Sequence, residues 1–134
     1  MKNKQLKLQD LINKAGEHRQ SKNKTLEIYV KSFDGIFKMK KPSNALLLES
    51  LDIASEDAHE GDIHLIYNSA IEPNLKSAEL QESYGVARPV EIVDELFDLG
   101  EIKAVATILA ESAGYGKDVA RLVESKDLIE DVKN

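Results

Sequence analysis

The chain has 134 residues, 42% of them hydrophobic, with no cysteine and no tryptophan. This length suits one domain, and the hydrophobic fraction is enough for a core, which argues against a wholly disordered protein. The lack of cysteine excludes both a disulfide scaffold and a thiolate metal site. We see no signal-peptide pattern and no apolar run of membrane-spanning length, so we expect a cytoplasmic protein.

The net charge of −6 is unevenly distributed. Residues 1–41 contain eleven Lys or Arg against four Asp or Glu, a balance of +7, while the remainder contains seven against twenty, a balance of −13. A basic N-terminal third is compatible with nucleic-acid binding. We favour a solvated lysine-rich face, because Arg19 is the sole arginine of that third and phosphate-binding proteins rely more on arginine.

The first predicted element is a helix with apolar residues at Leu8, Leu11, Ile12 and Ala15, the spacing of one helical face. Gly16 is its predicted end, and the polar stretch that follows, to Lys24, is predicted to be a connector.

A β-hairpin is predicted next. Thr25–Lys31 alternates apolar and polar side chains, Asp34 and Gly35 have turn chemistry, and Ile36–Lys40 alternates again. Two strands are only marginally stable, so this hairpin must pack on helices or pair with another chain.

Ser43 is the predicted N-cap of a leucine-rich helix that reaches Ala54. Ser55–Asp62 reads as an acidic linker, and Asp62 then caps a helix over Ile63–Ile71 that Pro73 closes.

The C-terminal half is predicted to contain short helices separated by turn residues. A brief turn runs from Ser77 to Gly85, and Pro89 occupies the first position of the next helix. Gly100 separates that helix from an amphipathic one, which ends at Gly114–Gly116. Lys117 begins a last helix whose end frays.

These elements predict an α+β fold that is mostly α: a short N-terminal β-hairpin packed on a bundle of five to six short helices. We divide the chain into an N-terminal helix and connector (1–24), a core domain (25–116) and a C-terminal helix (117–134).

The densest group of potential metal ligands lies in the segment from Glu56 to His64. A metal-dependent enzyme would use His59, Glu60 and His64, yet their spacing matches neither a metalloprotease helix nor a calcium loop. No serine lies in a nucleophile elbow. We therefore predict no catalytic residue, no cofactor and no metal, and expect that the protein is not an enzyme.

Aromatic side chains near basic ones occur on the hairpin, where Tyr29 and Phe37 could stack on bases. The simpler interpretation, that Phe33, Phe37 and Met39 pack against the helices, is favoured.

The helices from Pro89 to Ala113 carry apolar stripes wider than a small domain needs, which is typical of a groove for another helix. Burial of the same stripes in this domain's own core is the alternative. The predicted protein-binding residues are Val93, Leu96, Phe97, Val105 and Leu109.

The order of these segments resembles the XkdN-like tail assembly chaperones of phages and prophages of Gram-positive bacteria. The resemblance is carried by the strand pair of Thr25–Lys41 leading into Pro42-Ser43, by Ile63–Leu75 with its helix, Pro and Leu, and by the helix–Gly–helix of Ala87–Ile102. It covers roughly residues 25 to 115.

The resemblance implies a non-enzymatic protein of the bacterial host cytoplasm. Its partner would be the tape measure protein, which it keeps soluble during tail tube assembly, with the tail tube protein as a second partner and self-association as a further property. It implies no membrane partner. The alternatives are a small nucleic-acid-binding regulator that uses the basic N-terminal third, and a structural tail subunit that polymerises through the hairpin edge.

Overall fold

A computed structural model describes residues 4–116 and 118–123. Within these residues it contains seven α-helices and three β-strands. They are α1 Leu8–Asn13, α2 Ala15–Ser21, β1 Thr25–Val30, β2 Gly35–Lys40, α3 Asn44–Ala54, α4 Ala58–Ser69, β3 Ala70–Glu72, α5 Ala78–Tyr84, α6 Ile92–Leu96 and α7 Leu99–Ser112. The predicted fold class, α+β with mostly helical content, is confirmed.

The N-terminal segment is helical beyond the predicted boundary. Gly16 does not end the helical region, because α2 begins at Ala15 and includes it, so most of the predicted connector is helix. Neither α1 nor α2 contains a buried residue. The segment is fastened to the core at its end, where the Lys41 ammonium donates to the carbonyl oxygen of Ser21 at 3.0 Å.

The predicted hairpin is present, with Ile28 opposite Phe37 in an antiparallel register. Alternation places Ile28, Val30, Phe37 and Met39 on the buried face, as expected for period two. The turn differs from the prediction, because β1 ends at Val30 and Lys31–Phe33 forms a 3₁₀ turn. Asp34, with φ 47°, takes the left-handed conformation, while Gly35 is already the first residue of β2.

A third strand, β3, was not predicted. The sequence predicts helix as far as Ile71, but α4 stops at Ser69 and the chain becomes extended. β3 pairs antiparallel with β2, placing Ala70 opposite Met39. The sheet order is therefore β1-β2-β3, and the hairpin gains the third strand that its stability requires.

The predictions about the starts of α3 and α4 have opposite outcomes. Ser43 caps α3 as predicted, its hydroxyl accepting the backbone N–H of Leu46 at 3.1 Å. The predicted linker and the predicted cap at Asp62 are wrong, because α4 begins at Ala58 and Asp57 is its N-cap. The acidic segment is the first turn of a helix, where carboxylates are favoured by the helix dipole.

The C-terminal half also departs from the predicted boundaries. Pro89 opens a 3₁₀ turn over Pro89–Glu91 that leads into α6. Gly100 does not separate two helices but lies in the first turn of α7. Of the helix predicted from Lys117, residues 118–123 are not helical, and the rest lies outside the described residues.

The core lies between the inner face of the sheet and helices α3, α4, α6 and α7, with α4 at the centre. α4 packs against α3, α6 and α7. Its buried residues include Ile63 and Ile66, both fully excluded from solvent. This arrangement leaves α3 and α7 flanking α4 on one side of the molecule.

Candidate protein-binding groove

The side chains considered for metal binding do not come together but contact separate residues elsewhere in the chain. His59 Nε2 lies 2.6 Å from a carboxylate oxygen of Asp94. His64 Nε2 lies 2.6 Å from Glu49. Within residues 4–116 and 118–123 no group of three or more potential ligands converges.

Two further ion pairs complete this pattern around α4. Glu60 accepts two hydrogen bonds from the guanidinium of Arg88, at 3.2 and 3.0 Å. Hydrogen bonds to Glu60 and then to Glu91 raise the pKa of Arg88. Asp62 lies 2.7 Å from the ammonium of Lys103 in α7. The polar side chains of the first two turns of α4 therefore connect it to its neighbours.

The aromatic residues of the hairpin divide between core and surface. Phe37 is buried, and its ring centroid lies 5.0 Å from that of Phe97 and 5.9 Å from that of Phe33. Tyr29 is exposed and donates its hydroxyl to Asp34 at 2.8 Å. Because Phe37 is buried, the base-stacking pair considered from the sequence is not available on the surface.

Four of the five predicted protein-binding residues lie in the hydrophobic core. Val93, Phe97, Val105 and Leu109 are between 0% and 4% exposed. Leu96 is half-buried and reaches the surface. The alternative, burial within this domain's own core, therefore describes the four buried residues. The role of all five residues in protein binding stays a prediction.

The apolar surface lies next to these residues, in an open groove between α3 and α7. Its floor is α4, and its volume is about 370 Å³. The apolar part of its lining comprises Leu47, Leu51, Ala54, Leu65, Ala106, Ala110 and the ring of Tyr115. Two neighbouring helices with a gap over a third offer the shape that an amphipathic helix fills.

A glycine brings the floor of this groove close to one wall. A Cβ at Gly61 would lie 2.5 Å from Ala54 Cβ and 2.7 Å from the carbonyl oxygen of Ser50. Such distances are too short for any side chain, so α3 and α4 cross here because residue 61 has none. The close crossing sets the depth of the groove at this end.

Polar side chains also line the groove. Asp62 and Lys103 pair with each other across the space between α4 and α7. Glu111, on α7, is exposed and has no ion pair within the part of the chain that the structure describes. Ser50 lines the groove from α3, is 4% exposed, and its hydroxyl lacks a hydrogen-bond partner among the described residues.

A second apolar surface lies at the turn end of the hairpin. Phe33, Ile36, Pro73, Tyr84 and Leu96 line a cavity of about 320 Å³ there. Phe33 and Ile36 are exposed by 46% and 60%. This surface is where the one surface-reaching residue of the predicted set, Leu96, is found.

Sequence reasoning missed the groove because its walls come from three separate helices. Leu51 and Ala106 are only apolar members of broad stripes in the sequence, and nothing local distinguishes a groove wall from a core position. Gly61 offered the one available signal: a glycine inside an otherwise helical pattern often marks close packing. The acidic composition around Gly61 is typical of a linker, and this composition hides the signal.

The fold and the groove define the class of molecule: a small, mostly helical α+β domain with an open apolar groove. Within the described residues, none of the side chains considered for catalysis or metal binding forms a reactive constellation. Among the helices of that same part, none combines the length and the apolar character that crossing a bilayer demands.

Comparison with known proteins identifies the family. Residues 37–133, well over half of the chain, match the model of the phage XkdN-like tail assembly chaperone proteins. The chain belongs to this family, whose role in tail assembly is that of a chaperone rather than a catalyst. No curated protein and no solved structure matches the chain.

Proposed function

We propose that this protein binds amphipathic helical segments of the tape measure protein in the groove between α3, α4 and α7, and so keeps that long protein soluble while the tail tube assembles. The observation that carries the proposal is the groove itself, an apolar channel open to solvent on a chaperone of tail assembly. A long helical client with exposed apolar faces aggregates unless a partner covers them.

The position of the groove along the chain supports this choice. Its lining runs from Leu47 to Gly116 and lies wholly inside the matched residues 37–133. The hairpin-end surface includes Phe33 and Ile36, which precede the match. A function shared across the family is better served by the surface that the family model covers.

The walls of the groove also suit a helix chemically. Small side chains at Ala54 and Ala110 allow a client helix to approach closely, while the exposed side chains of Leu51 and Tyr115 supply apolar area. Burying one leucine-sized side chain contributes about 1.5–3 kcal/mol, so two or three such contacts give a reversible complex. Reversibility is needed because the tail tube must replace the chaperone.

The test is co-expression of the protein with the tape measure protein of the same phage. Leu51→Asp places a charge in the groove wall at a residue that is already 37% exposed. We expect this variant to leave most of the client in the insoluble fraction, since burial of an unpaired carboxylate opposes helix docking. The measurement is the client's soluble fraction after centrifugation.

Leu48→Asp is the matched control. Leu48 lies on the same helix, is 68% exposed and does not line the groove. This variant should keep the client soluble, and circular dichroism should show native helix content in both variants. A folded Leu51→Asp protein that solubilises its client as well as wild type would contradict the proposal.

A further inference from the structure

Helix α1 presents an apolar face that nothing in the described structure covers. Leu8, Leu11 and Ile12 are 74%, 52% and 54% exposed, and α1 contains no buried residue. In the part of the chain that the structure describes, the helix packs to an appreciable extent only on α2. The apolar face is therefore available to a partner.

A helix as short as α1 is unstable by itself. It has six residues, about 9 Å, whereas isolated helices need about twelve or more residues to persist in water. Asp10 accepts the backbone N–H of Lys7 at 2.9 Å, which supports the first turn but supplies no packing. Stabilising α1 requires a partner surface for its apolar face.

We propose that α1 of one copy of the chain docks in the groove between α3, α4 and α7 of a second copy. Leu8, Leu11 and Ile12 have the i, i+3, i+4 spacing by which helices insert into apolar grooves, and Ala15 follows at the start of α2. The groove wall on α7, from Lys103 to Glu111, extends about 13 Å and accommodates the 9 Å of α1.

Charge complementarity is what selects a second copy as the occupant. Residues 1–41 carry a balance of +7 and the remainder −13, so the N-terminal segment of one copy is attracted to the helical part of another. Around α1 the cations are Lys4, Lys7 and Lys14, with Asp10 already paired to Lys4 at 3.3 Å. At the groove, Glu111 remains for them once Asp62 has paired with Lys103.

This contact is head-to-tail, since α1 of one copy meets the groove of another. Such heterologous contacts extend into chains of copies unless their rotation closes a ring. The inference rests on the groove of the proposed function. There, α1 of a neighbouring copy competes with the client and occupies the groove until a client helix displaces it. Before the client arrives, α1 and the groove each cover the other's apolar surface.

The experiment is sedimentation of the full chain over a range of concentrations, with two variants that disable opposite halves of the contact. Leu11→Asp disables the helix, and Leu51→Asp disables the groove. Wild type should associate as concentration rises. Each variant should require at least about tenfold higher concentration to reach the same degree of association, because each loses the burial of one leucine and gains a buried charge. Gln9→Asp, which adds the same charge to the polar side of α1 without removing an apolar contact, should weaken association much less than Leu11→Asp does.

Mixing the two variants tests the direction of the contact. Leu51→Asp retains an intact helix and Leu11→Asp an intact groove, so the mixture should form one-to-one dimers that neither variant forms alone. A monomeric wild type, an unweakened Leu11→Asp variant, or a mixture that stays monomeric would each overturn the proposal.

The outcome is separable from that of the proposed function. The Leu11→Asp variant has a free, intact groove and should hold the tape measure protein soluble at least as well as wild type. If Leu11→Asp associates normally while Leu51→Asp loses its client, the self-association fails and the proposed function stands. If Leu51→Asp loses association but keeps its client soluble, the proposed function fails and the self-association stands.

Discussion

At the scale of single residues, Gly61 has the greatest structural consequence for the groove. Its α-carbon faces Ala54 and the carbonyl oxygen of Ser50, both on α3, with no room for a methyl group. The clash involves backbone atoms, which cannot move without shifting a whole helix. We expect Gly61→Ala to lower the free energy of unfolding by roughly 1–3 kcal/mol, the usual cost of overpacking, as measured by urea denaturation.

Gly100→Ala is the control for this substitution. Gly100 lies in the first turn of α7, and a Cβ there would meet nothing within 4 Å. Alanine should be neutral or stabilise the protein by up to about 1 kcal/mol, because it restricts the unfolded chain. Equal stability of the two variants would mean that α3 and α4 are not in close contact at residue 61.

At the scale of elements, Glu101 joins the hairpin to α7. Its carboxylate accepts the backbone N–H of Asp98 at 3.0 Å, at the start of its own helix. It also accepts the backbone N–H of Ser32 at 2.8 Å and the hydroxyl of Ser32 at 2.9 Å. These bonds, first the one from Asp98 and then the one from the Ser32 backbone, hold the pKa of Glu101 below its ordinary value.

This lowered pKa predicts how stability depends on pH. A carboxyl group whose pKa is lower in the folded protein stabilises it above the unfolded-state pKa, and the contribution is lost as pH falls through the folded-state pKa. Glu101→Gln should therefore be less stable than wild type at pH 7, and the difference should shrink below about pH 4. Thermal unfolding across pH 3–7 measures it.

Glu95→Gln serves for comparison, since Glu95 is exposed and its carboxylate makes no hydrogen bond or ion pair among the described residues. Its stability difference from wild type should be small at every pH. A Glu101→Gln protein with the same flat profile would show that the connection between the hairpin and α7 contributes nothing in solution.

At the scale of the whole molecule, residues 4–20 stand apart from the core. Helices α1 and α2 bury no residue. The hydrogen bond from Lys41 that ties this segment to the core is made to Ser21, the last residue of α2. A chain that starts at Ser21 should unfold with a free energy within about 1 kcal/mol of the full chain, measured at low protein concentration. A larger loss would place α1 or α2 in the core of the monomer and would contradict the predicted domain boundary.

The sequence alone determined the elements whose signals are local. Alternation in Thr25–Val30 and Ile36–Lys40 predicted both strands of the hairpin, because period two follows from the geometry of an extended chain. Ser43 marked a helix start correctly, since a capping hydroxyl acts within one turn. Pro89 marked the start of the 3₁₀ turn that leads into α6, because its fixed φ also acts locally. The residues and the order of these segments also indicated the family.

Tertiary structure decided what depends on distant residues. β3 exists because β2 offers an unpaired edge to Ala70–Glu72, a partner that no local pattern contains. The acidic segment before Asp62 became helix, with its side chains paired to residues of other elements, where composition alone suggested a linker. Val93 and Leu109 became core while Leu51 became a groove wall, because burial depends on which helices meet. Apolar periodicity only shows which face turns inward.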